Sequence, residues 1–278
     1  MPLLLDGKKV AGELERKLVE RLEHSPTSQP SFVGVQVGKD NEGSNLYLKF
    51  KRRAAHRVGL GCEIYELPSD VPQKELLDLI RKVNGDPSVN GIIVQLPLPP
   101  HLNKWEVIRA IDPAKDIDGL TPHNNWALDN NLPGLRPCTP KGILSLLRYY
   151  SIPVEGSRVA VVNRSPLVGN PLSKLLRNHH ATVVQCHSRT KNKEQRTYDA
   201  DIAVFATGVP NLVDPEWLGP HSVVIDVSSP QGDCTAHFKA IKEKVKAITP
   251  VPGGVGPMTI VSLLENTAEA AQSQKKKS

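Results

Sequence analysis

One stretch of the chain decides its fold: Arg158-Val159-Ala160-Val161-Val162-Asn163-Arg164-Ser165-Pro166-Leu167-Val168-Gly169-Asn170-Pro171. The apolar, mostly β-branched run at residues 158–162 predicts a buried strand, and the apolar spacing of residues 168–177 predicts a helix. Another strand is predicted at residues 182–185, so the order is strand, tight loop, helix, strand. That order is typical of a parallel sheet whose strands are connected by helices.

The same alternation extends along the chain in both directions. The predicted helices cover residues 8–22, 43–58, 73–83 and 257–271, and the predicted strands cover residues 32–37, 62–67, 91–94, 202–205 and 223–225. Residues 1–5 are expected to form a first strand or an extended arm. The fold class is therefore α/β with two α/β domains, of which the second is Rossmann-like.

A loop-rich stretch, residues 113–137, separates the two domains. After it, Thr139 is predicted to cap a helix that starts at Pro140, which suits the fixed φ and missing N–H of proline. The expected boundaries are residues 1–139 for the first domain, residues 140–255 for the second, and residues 256–278 for a C-terminal helix that packs on the first.

Composition narrows the class of protein. The 278 residues are 39% hydrophobic and 23% charged, as in an ordinary globular protein. No apolar run approaches the ~20 residues that span a membrane. The net charge is +6, but the basic residues are not interleaved with aromatic residues as they are in proteins that bind single-stranded nucleic acid. We therefore expect a cytosolic protein with neither a membrane nor a nucleic acid as partner.

The cysteines favour neither a metal site nor a disulfide framework. They are scattered, without a CxxC pair and without histidines at ligand spacing: Cys62, Cys138, Cys186 and Cys234. Reduced structural thiols and no metal are expected.

The loop after the strand at residues 158–162 is a candidate phosphate site. It is not GxGxxG, but a loop that leads into a helix presents backbone N–H groups and the positive end of the helix dipole. The next strand ends in Cys186-His187-Ser188-Arg189, without the carboxylate that usually holds the ribose of NAD. With Arg164 nearby, the pattern favours NADP. The alternative is that Arg164 and Arg189 are solvated loop arginines.

A second candidate site lies in the first half. Tyr47 and Lys51 are four residues apart and share a helical face, where a ring and an amine can act on one flat substrate. A solvated helix face is the alternative. Gln95 ends a predicted strand, where α/β proteins place ligand contacts, whereas Asp116 and Asp118 taken alone are typical turn residues. Residues 249–259, Thr-Pro-Val-Pro-Gly-Gly-Val-Gly-Pro-Met-Thr, form a stiff loop whose backbone can approach a ligand closely.

Taken together, these segments resemble the bifunctional methylenetetrahydrofolate dehydrogenase/methenyltetrahydrofolate cyclohydrolase family. The matching segments run in family order over nearly the whole chain: Tyr47-x-x-x-Lys51, residues 91–99, residues 115–119, residues 137–142, Arg164-Ser165-x-x-Val168-Gly169-x-Pro171, residues 206–208 and residues 249–259. The long loop and residues 91–99 are the most specific of these.

The resemblance implies a cleft between the domains, with folate against the first and NADP against the second. It implies three catalytic residues, namely Lys51 as the amine, Gln95, which tunes it, and Asp118, which hydrogen-bonds the pterin. The substrate-binding residues that it implies are Tyr47, Pro97, Pro252, Gly253 and Gly254, and the cofactor-binding residues are Asn163, Arg164, Ser165, Ser188, Thr207 and Gly208.

The implied chemistry has two steps, and both belong to one-carbon metabolism. Methylenetetrahydrofolate gives a hydride to NADP, and water then opens the methenyl cation to 10-formyltetrahydrofolate. Lys51 must be at least partly neutral to move protons, so its pKa must fall from the ordinary ~10.4. The resemblance also implies a homodimer through the cofactor domain.

Two departures lie in the cofactor half. Asn163 replaces a family glycine, and asparagine tolerates the left-handed conformation that a glycine turn uses. Residues 227–230 (Val-Ser-Ser-Pro) replace Val-Gly-Ile-Asn beside the nicotinamide. Two alternatives follow: a cyclohydrolase with weak or lost dehydrogenase activity, and a non-catalytic folate- or nucleotide-binding regulator. Retention of Lys51, Gln95 and Asp118 argues against the regulator.

Overall fold

The computed structural model describes residues 2–24, 29–38, 42–228 and 232–276. In chain order the elements are β1 (Leu3–Leu4), α1 (Gly7–Glu23), β2 (Ser31–Val37), α2 (Glu42–Arg57), β3 (Gly61–Leu67), α3 (Gln73–Asn84), β4 (Gly91–Val94), α4 (Lys104–Ala110), α5 (Pro122–Asp129), α6 (Cys138–Tyr149), β5 (Arg158–Val162), α7 (Gly169–Asn178), β6 (Thr182–Cys186), α8 (Lys193–Tyr198), β7 (Ile202–Phe205), β8 (Val223–Asp226), α9 (Phe238–Lys244), β9 (Ala247–Ile248) and α10 (Val255–Lys275). Short 3₁₀ helices cover Pro215–Trp217 and Thr235–His237.

The chain divides into two compact units, and both are α/β. One unit, the six-stranded unit, consists of Met1–Glu13 and Thr139–Thr259. The other, the three-stranded unit, consists of Leu14–Cys138 and Ile260–Ser278. The predicted fold class, with a Rossmann-like sheet in the second half, is confirmed.

The three-stranded unit has the sheet order β3-β2-β4, with every pair parallel. The strands β2 and β4 are apolar and almost fully buried, as expected where helices cover a parallel sheet, whereas the edge strand β3 is only half-buried. An isolated parallel bridge pairs Ile92 with Asp116, so the segment after α4 returns to the edge of β4. The helix α10 contributes Leu263 and Leu264 to the same apolar cluster as Phe32 of β2.

The six-stranded unit has the sheet order β1-β9-β8-β7-β5-β6, again with every pair parallel. The chain goes from β5 to β6 on one side and then to β7 on the other side of β5. In open parallel sheets this reversal leaves a crevice at the carboxyl ends of the two strands, which is the usual ligand site. The loops after β5 and β7 therefore occupy the position expected for a nucleotide.

The structure adds elements that were not predicted, among them α4, α8, α9 and β9, and three further details differ from the sequence-based expectations. The strand β1 pairs with β9, so residues 1–13 group with the second half rather than with the first domain. The stretch expected as loop contains α5, because Thr121 caps it through Asn124 N–H and Pro122 stands at its first position. Thr139 does not cap α6, which already begins at Cys138; its hydroxyl instead lies 3.1 Å from that of Thr259.

Candidate active site

Lys51 lies in the buried stripe of α2. Leu48, Ala54, Ala55 and Val58 are buried at positions three, four and seven residues away, which is the spacing of one helical face. Lys51 is itself only 5% exposed, whereas Lys49 on the same helix is exposed. The solvated-face interpretation of Lys51 is therefore wrong, and the apolar stripe around it is the signal that could have shown this from the sequence.

The Lys51 amine faces a neutral acceptor and an aromatic ring. Its Nζ donates to Oε1 of Gln95 at 3.2 Å and lies 5.1 Å from the centroid of the Tyr47 ring. The other amide atom of Gln95, Nε2, donates to the Leu96 carbonyl at 2.9 Å, which fixes the orientation of the amide. Pro97, two residues beyond Gln95, is exposed. An amide oxygen orients the amine without the Coulombic attraction by which a carboxylate would hold it charged.

Lys51 and Asp118 perturb each other. Burial lowers the pKa of Lys51, while the charge of Asp118 and then that of Cys138 act to raise it. Burial raises the pKa of Asp118, although the nearby Lys51 charge lowers it. Asp118 nevertheless keeps a partly exposed surface. A desolvated amine and a desolvated acid beside each other are typical of a site that moves protons.

The neighbouring Asp116 has a different role. It is 1% exposed, and its Oδ2 accepts from the backbone N–H of Thr121 at 2.7 Å and from Nδ2 of Asn124 at 2.9 Å. These bonds shape the turn that precedes α5. The turn interpretation therefore fits Asp116, whereas Asp118 takes part in the interaction with Lys51.

The Pro-Gly-Gly loop belongs to the six-stranded unit rather than to the unit that holds Lys51. Gly253 has φ +107°, and its carbonyl accepts the N–H of Lys8 at 2.9 Å. A Cβ on Gly254 would lie 2.6 Å from the Pro250 carbonyl oxygen, and a Cβ on Gly7 would collide with the Gly254 carbonyl. Only glycine fits these positions, so the loop and the start of α1 form one close-packed backbone surface that includes Pro252.

Asn163 fastens the loop after β5 at the switch point. Its Oδ1 accepts the N–H of Ser165, and its Nδ2 donates to the Ala206 carbonyl after β7. Its backbone is not in the left-handed region, so tolerance of that region is not the reason that asparagine fits here. The side-chain amide bridges two loops, a contact that glycine could not make. A Cβ on Gly169 would collide with the Asn163 carbonyl, so the residue after β5 and the first residue of α7 are in direct contact.

Ser165 and the exposed loop residues surround the start of α7. The Ser165 hydroxyl accepts from Val168 N–H at 3.2 Å and from Gly169 N–H at 3.5 Å. Arg164 and Ser188 are exposed, in the loops that follow the adjacent strands β5 and β6. Gln185 of β6, which the sequence reasoning missed, connects this strand to the loop after β5 by donating to the Asn163 carbonyl at 3.0 Å.

A buried carboxylate holds the loop after β7. Asp233, with no exposed surface, accepts from Thr207 N–H at 2.8 Å and from the Ser228 hydroxyl at 2.9 Å. The Ser228 hydroxyl in turn accepts from Gly208 N–H at 3.3 Å. The departure from the family pattern at Ser228 therefore adds a side chain that ties this loop. Ser229 and Pro230 lie outside the described residues.

Asp226 supports Asp233 from the end of β8. It is 2% exposed and accepts three backbone N–H bonds, from Ser228, Asp233 and Cys234, at 2.8 to 3.2 Å. Sequence reasoning missed both carboxylates, because their partners are backbone groups of other loops. In the part of the chain that the structure describes, no group of three or more His, Cys, Asp or Glu residues is arranged to hold a metal, and no helix is long and apolar enough to cross a membrane.

The fold and the two sites define a class: an α/β enzyme with a nucleotide-type sheet in one unit and a desolvated lysine in the other. Residues 137–275 match the model of the tetrahydrofolate dehydrogenase/cyclohydrolase NAD(P)-binding domain, and residues 5–118 match that of the catalytic domain. The chain therefore belongs to the tetrahydrofolate dehydrogenase/cyclohydrolase family.

Individual relatives agree with this assignment. The chain is 42% identical to the bifunctional protein FolD of Exiguobacterium sibiricum, over 98% of this chain and 100% of that protein. The structure of the bifunctional methylenetetrahydrofolate dehydrogenase/cyclohydrolase FolD from Campylobacter jejuni is similar with a TM-score of 0.93, 38% identity and coverage of 99% and 100% of the two chains. The structure of the Trypanosoma brucei enzyme, complexed with NADP cofactor and an inhibitor, is similar with a TM-score of 0.92, 34% identity and coverage of 98% of both chains.

Proposed function

We propose that this chain oxidises 5,10-methylenetetrahydrofolate to 5,10-methenyltetrahydrofolate with NADP and hydrolyses the product to 10-formyltetrahydrofolate. The observation that carries the proposal is the buried Lys51 amine, held by Gln95 and Tyr47 next to Asp118. We assign the folate chemistry to the three-stranded unit and cofactor binding to the six-stranded unit.

Lys51 acts as the proton carrier of the hydrolysis. Neutral Lys51 takes a proton from the water that attacks the methenyl carbon, and returns it to N5 as the bond between that carbon and N5 breaks. The hydroxyl proton of the intermediate leaves to solvent, so one proton is released for each cation that is hydrolysed. Burial favours the neutral amine that this step needs, because it lowers the pKa of Lys51.

The residues around Lys51 orient the reactants. The Gln95 side-chain carbonyl oxygen accepts a hydrogen bond from the Lys51 amine and so fixes the direction of the lone pair on the nitrogen. The ring of Tyr47 offers a flat apolar surface to the aminobenzoate part of folate, and the exposed Pro97 is a second proposed folate contact. Asp118, partly exposed and with a raised pKa, hydrogen-bonds the pterin.

The loops of the six-stranded sheet fit NADP. When bound, NADP supplies the acceptor for the hydride. The positive end of the α7 dipole and the exposed side chains of Arg164 and Ser188 suit its phosphates, and the loop after β6 contains no carboxylate to repel a 2′-phosphate. The backbone N–H groups of Thr207 and Gly208 already donate hydrogen bonds to Asp233 and Ser228, respectively. We therefore expect these two residues to shape the site rather than to donate to the cofactor.

Two assays on three proteins test the proposal. NADP-dependent oxidation of methylenetetrahydrofolate and loss of methenyl absorbance are measured for the wild type, Lys51→Ala and Lys49→Ala. We expect Lys51→Ala to lose hydrolysis by about 100- to 10,000-fold, the usual contribution of a positioned general base, while its fold and NADP affinity are unchanged. Lys49→Ala, on the exposed side of the same helix, should match the wild type.

Each opposite result has one meaning. Wild-type hydrolysis by Lys51→Ala would remove Lys51 from the mechanism. Hydrolysis without hydride transfer in the wild type would select a cyclohydrolase that has lost its dehydrogenase activity. Absence of both reactions, with folate or NADP still bound, would select the regulator.

We also propose a cytosolic homodimer that binds neither nucleic acid nor membrane. The four cysteines, all among the described residues, form no disulfide, which suits a reducing compartment. The dimer rests on the family resemblance. Light scattering at several protein concentrations tests the dimer.

A further inference from the structure

The turn that carries Asp118 is closed by backbone bonds on one side. Ile92 N–H and Ile117 N–H both donate to the Lys115 carbonyl, at 2.7 and 2.8 Å, and Gly119 N–H donates to that of Asp116 at 3.0 Å. Gly119 has φ +71°, and a Cβ there would lie 2.5 Å from the Pro137 nitrogen. The segment that leads into α6 therefore passes directly against the turn.

One buried side chain joins these two segments. Asn266 of α10 has no exposed surface, and its Nδ2 donates to the carbonyls of Ile117 and Arg136 at 2.8 Å each. The same nitrogen lies 3.6 Å from the sulfur of Cys138, whose thiol donates to the Ile117 carbonyl at 3.1 Å. All of these residues belong to the three-stranded unit.

The placement of these bonds matters for Asp118. The Ile117 carbonyl belongs to the peptide bond that ends in the nitrogen of Asp118, so fixing this carbonyl fixes the direction from which the acid leaves the backbone. The Cys138 side chain also lies beside Asp118 and acts to lower the pKa of that carboxyl. A single amide thus controls both the backbone before the acid and the thiol beside it.

We propose that Asn266 is a positioning residue for the reaction: its amide joins the carbonyls of Ile117 and Arg136, and thereby presents the Asp118 carboxylate to the pterin. This inference rests on the proposed function. It gives α10, which lies far along the chain from Lys51 and Asp118, a role in substrate recognition. The sequence motifs around Lys51 and Asp118 do not indicate this role.

The test compares two buried positions on one helix. Asn266→Leu removes the donor and keeps the number and branching of the side-chain heavy atoms. The matched control is Thr267→Val: Thr267 has no exposed surface either, but its hydroxyl donates at 2.9 Å to Leu263, within α10. Asn266→Ser, which keeps one donor, is included in case the leucine variant does not fold.

Kinetics of methenyltetrahydrofolate hydrolysis supply the first readout. We expect Asn266→Leu to raise KM by about ten-fold, because the hydrogen bond from the pterin to the displaced acid weakens, with an intermediate value for Asn266→Ser. Thr267→Val should keep the wild-type KM. In an Asp118→Asn background, Asn266→Leu should change KM by less than about two-fold, since both changes remove one interaction.

A second readout does not depend on folate. The rate at which acetic anhydride labels Lys51 is followed against pH, because only the neutral amine reacts and the charge of Asp118 acts on it. The labelling curve should move in Asn266→Leu and stay in place in Thr267→Val. An unchanged KM in folded Asn266→Leu or Asn266→Ser, or full additivity with Asp118→Asn, would overturn the inference. Absence of hydrolysis in the wild type would instead refute the proposed function, and the labelling curves would then decide whether Asn266 positions Asp118.

Discussion

Asp118 in the three-stranded unit and Asp226 in the six-stranded unit are carboxylates with the same kind of perturbation and opposite surroundings. Burial raises the pKa of both. Asp226 receives three backbone N–H bonds that tie β8 to the following loop. Asp118 is instead influenced by a lysine charge and a thiol, and keeps an exposed edge. A raised pKa therefore does not identify a reactive acid; the kind of partner does.

Two buried lysines in the three-stranded unit show the same contrast. Lys115 is 7% exposed, and its Nζ donates to the carbonyls of Val83 and Asp86, at 3.2 and 2.6 Å, near the end of α3. Lys51 is 5% exposed and faces one amide oxygen. Burial lowers the pKa of both amines. Lys115 serves as a cap for backbone carbonyls, whereas Lys51 is the amine to which we assign the proton transfer.

The largest expected effect is on Asp226. Replacing it by alanine leaves three buried N–H groups without their acceptor, so we expect Asp226→Ala to lower the free energy of unfolding by about 3 kcal/mol or more. Urea denaturation measures the loss. Asp214→Ala removes a carboxylate that accepts only Glu216 N–H at an exposed position, and should cost about 1 kcal/mol. Equal costs for the two variants would contradict the assignment of Asp226 as a structural acid.

The next effect separates the two lysines. Lys115→Met leaves two buried carbonyls without a donor and should destabilise the chain by about 2 kcal/mol. Lys51→Met replaces a desolvated amine by an apolar chain of similar size, and should leave stability unchanged or raise it by about 1 kcal/mol. Both unfolding curves are measured at neutral pH. If Lys51→Met were the more damaging variant, Lys51 would be a structural residue and the contrast would fail.

The smallest effect is a shift in pH dependence. The Asp118 carboxylate acts to raise the pKa of Lys51, so Asp118→Asn should lower that pKa further. Acetic anhydride labelling of Lys51 should then begin at a lower pH than in the wild type. Asp112→Asn, whose parent side chain acts on Lys115, is the control and should leave the Lys51 curve in place. A shift to higher pH in Asp118→Asn would show that the two groups do not interact as described.

How much the sequence could predict depended on whether the deciding contacts were local. The strands at residues 91–94, 158–162 and 202–205 were predicted with the bounds that the structure has, because apolar runs between polar turns are local signals. The helix α5 was missed because its polar composition resembles that of a loop, although Thr121 and Pro122 form a typical helix start. The pairing of β1 with β9 was not visible, since it joins residues more than two hundred positions apart.

The candidate site followed the same rule. Tyr47 and Lys51 were predicted from their spacing to share a helical face, whereas only the family resemblance placed Gln95 beside Lys51; the structure brings the three together. The proposed role of Asn266 depends on hydrogen bonds to backbone groups of distant segments, and so does the bond between Asp233 and Thr207. The type of a residue does not predict such a bond. Asn163 was expected to matter for its backbone freedom, whereas its side-chain amide makes the contacts. Side chains that hold loops are found only when the loops are in place.

The division of α10 between the two units has a consequence for the order of synthesis. Residues 14–138 leave the ribosome more than a hundred residues before those of α10 that complete the three-stranded unit, a delay of roughly 6 to 24 seconds at about 5–20 residues per second. During that time the apolar face around Phe32 and Ala54 lacks Leu263 and Leu264. The nascent unit therefore exposes apolar surface, and the hydrogen bonds from Asn266 to the Ile117 and Arg136 carbonyls form only when α10 has been made.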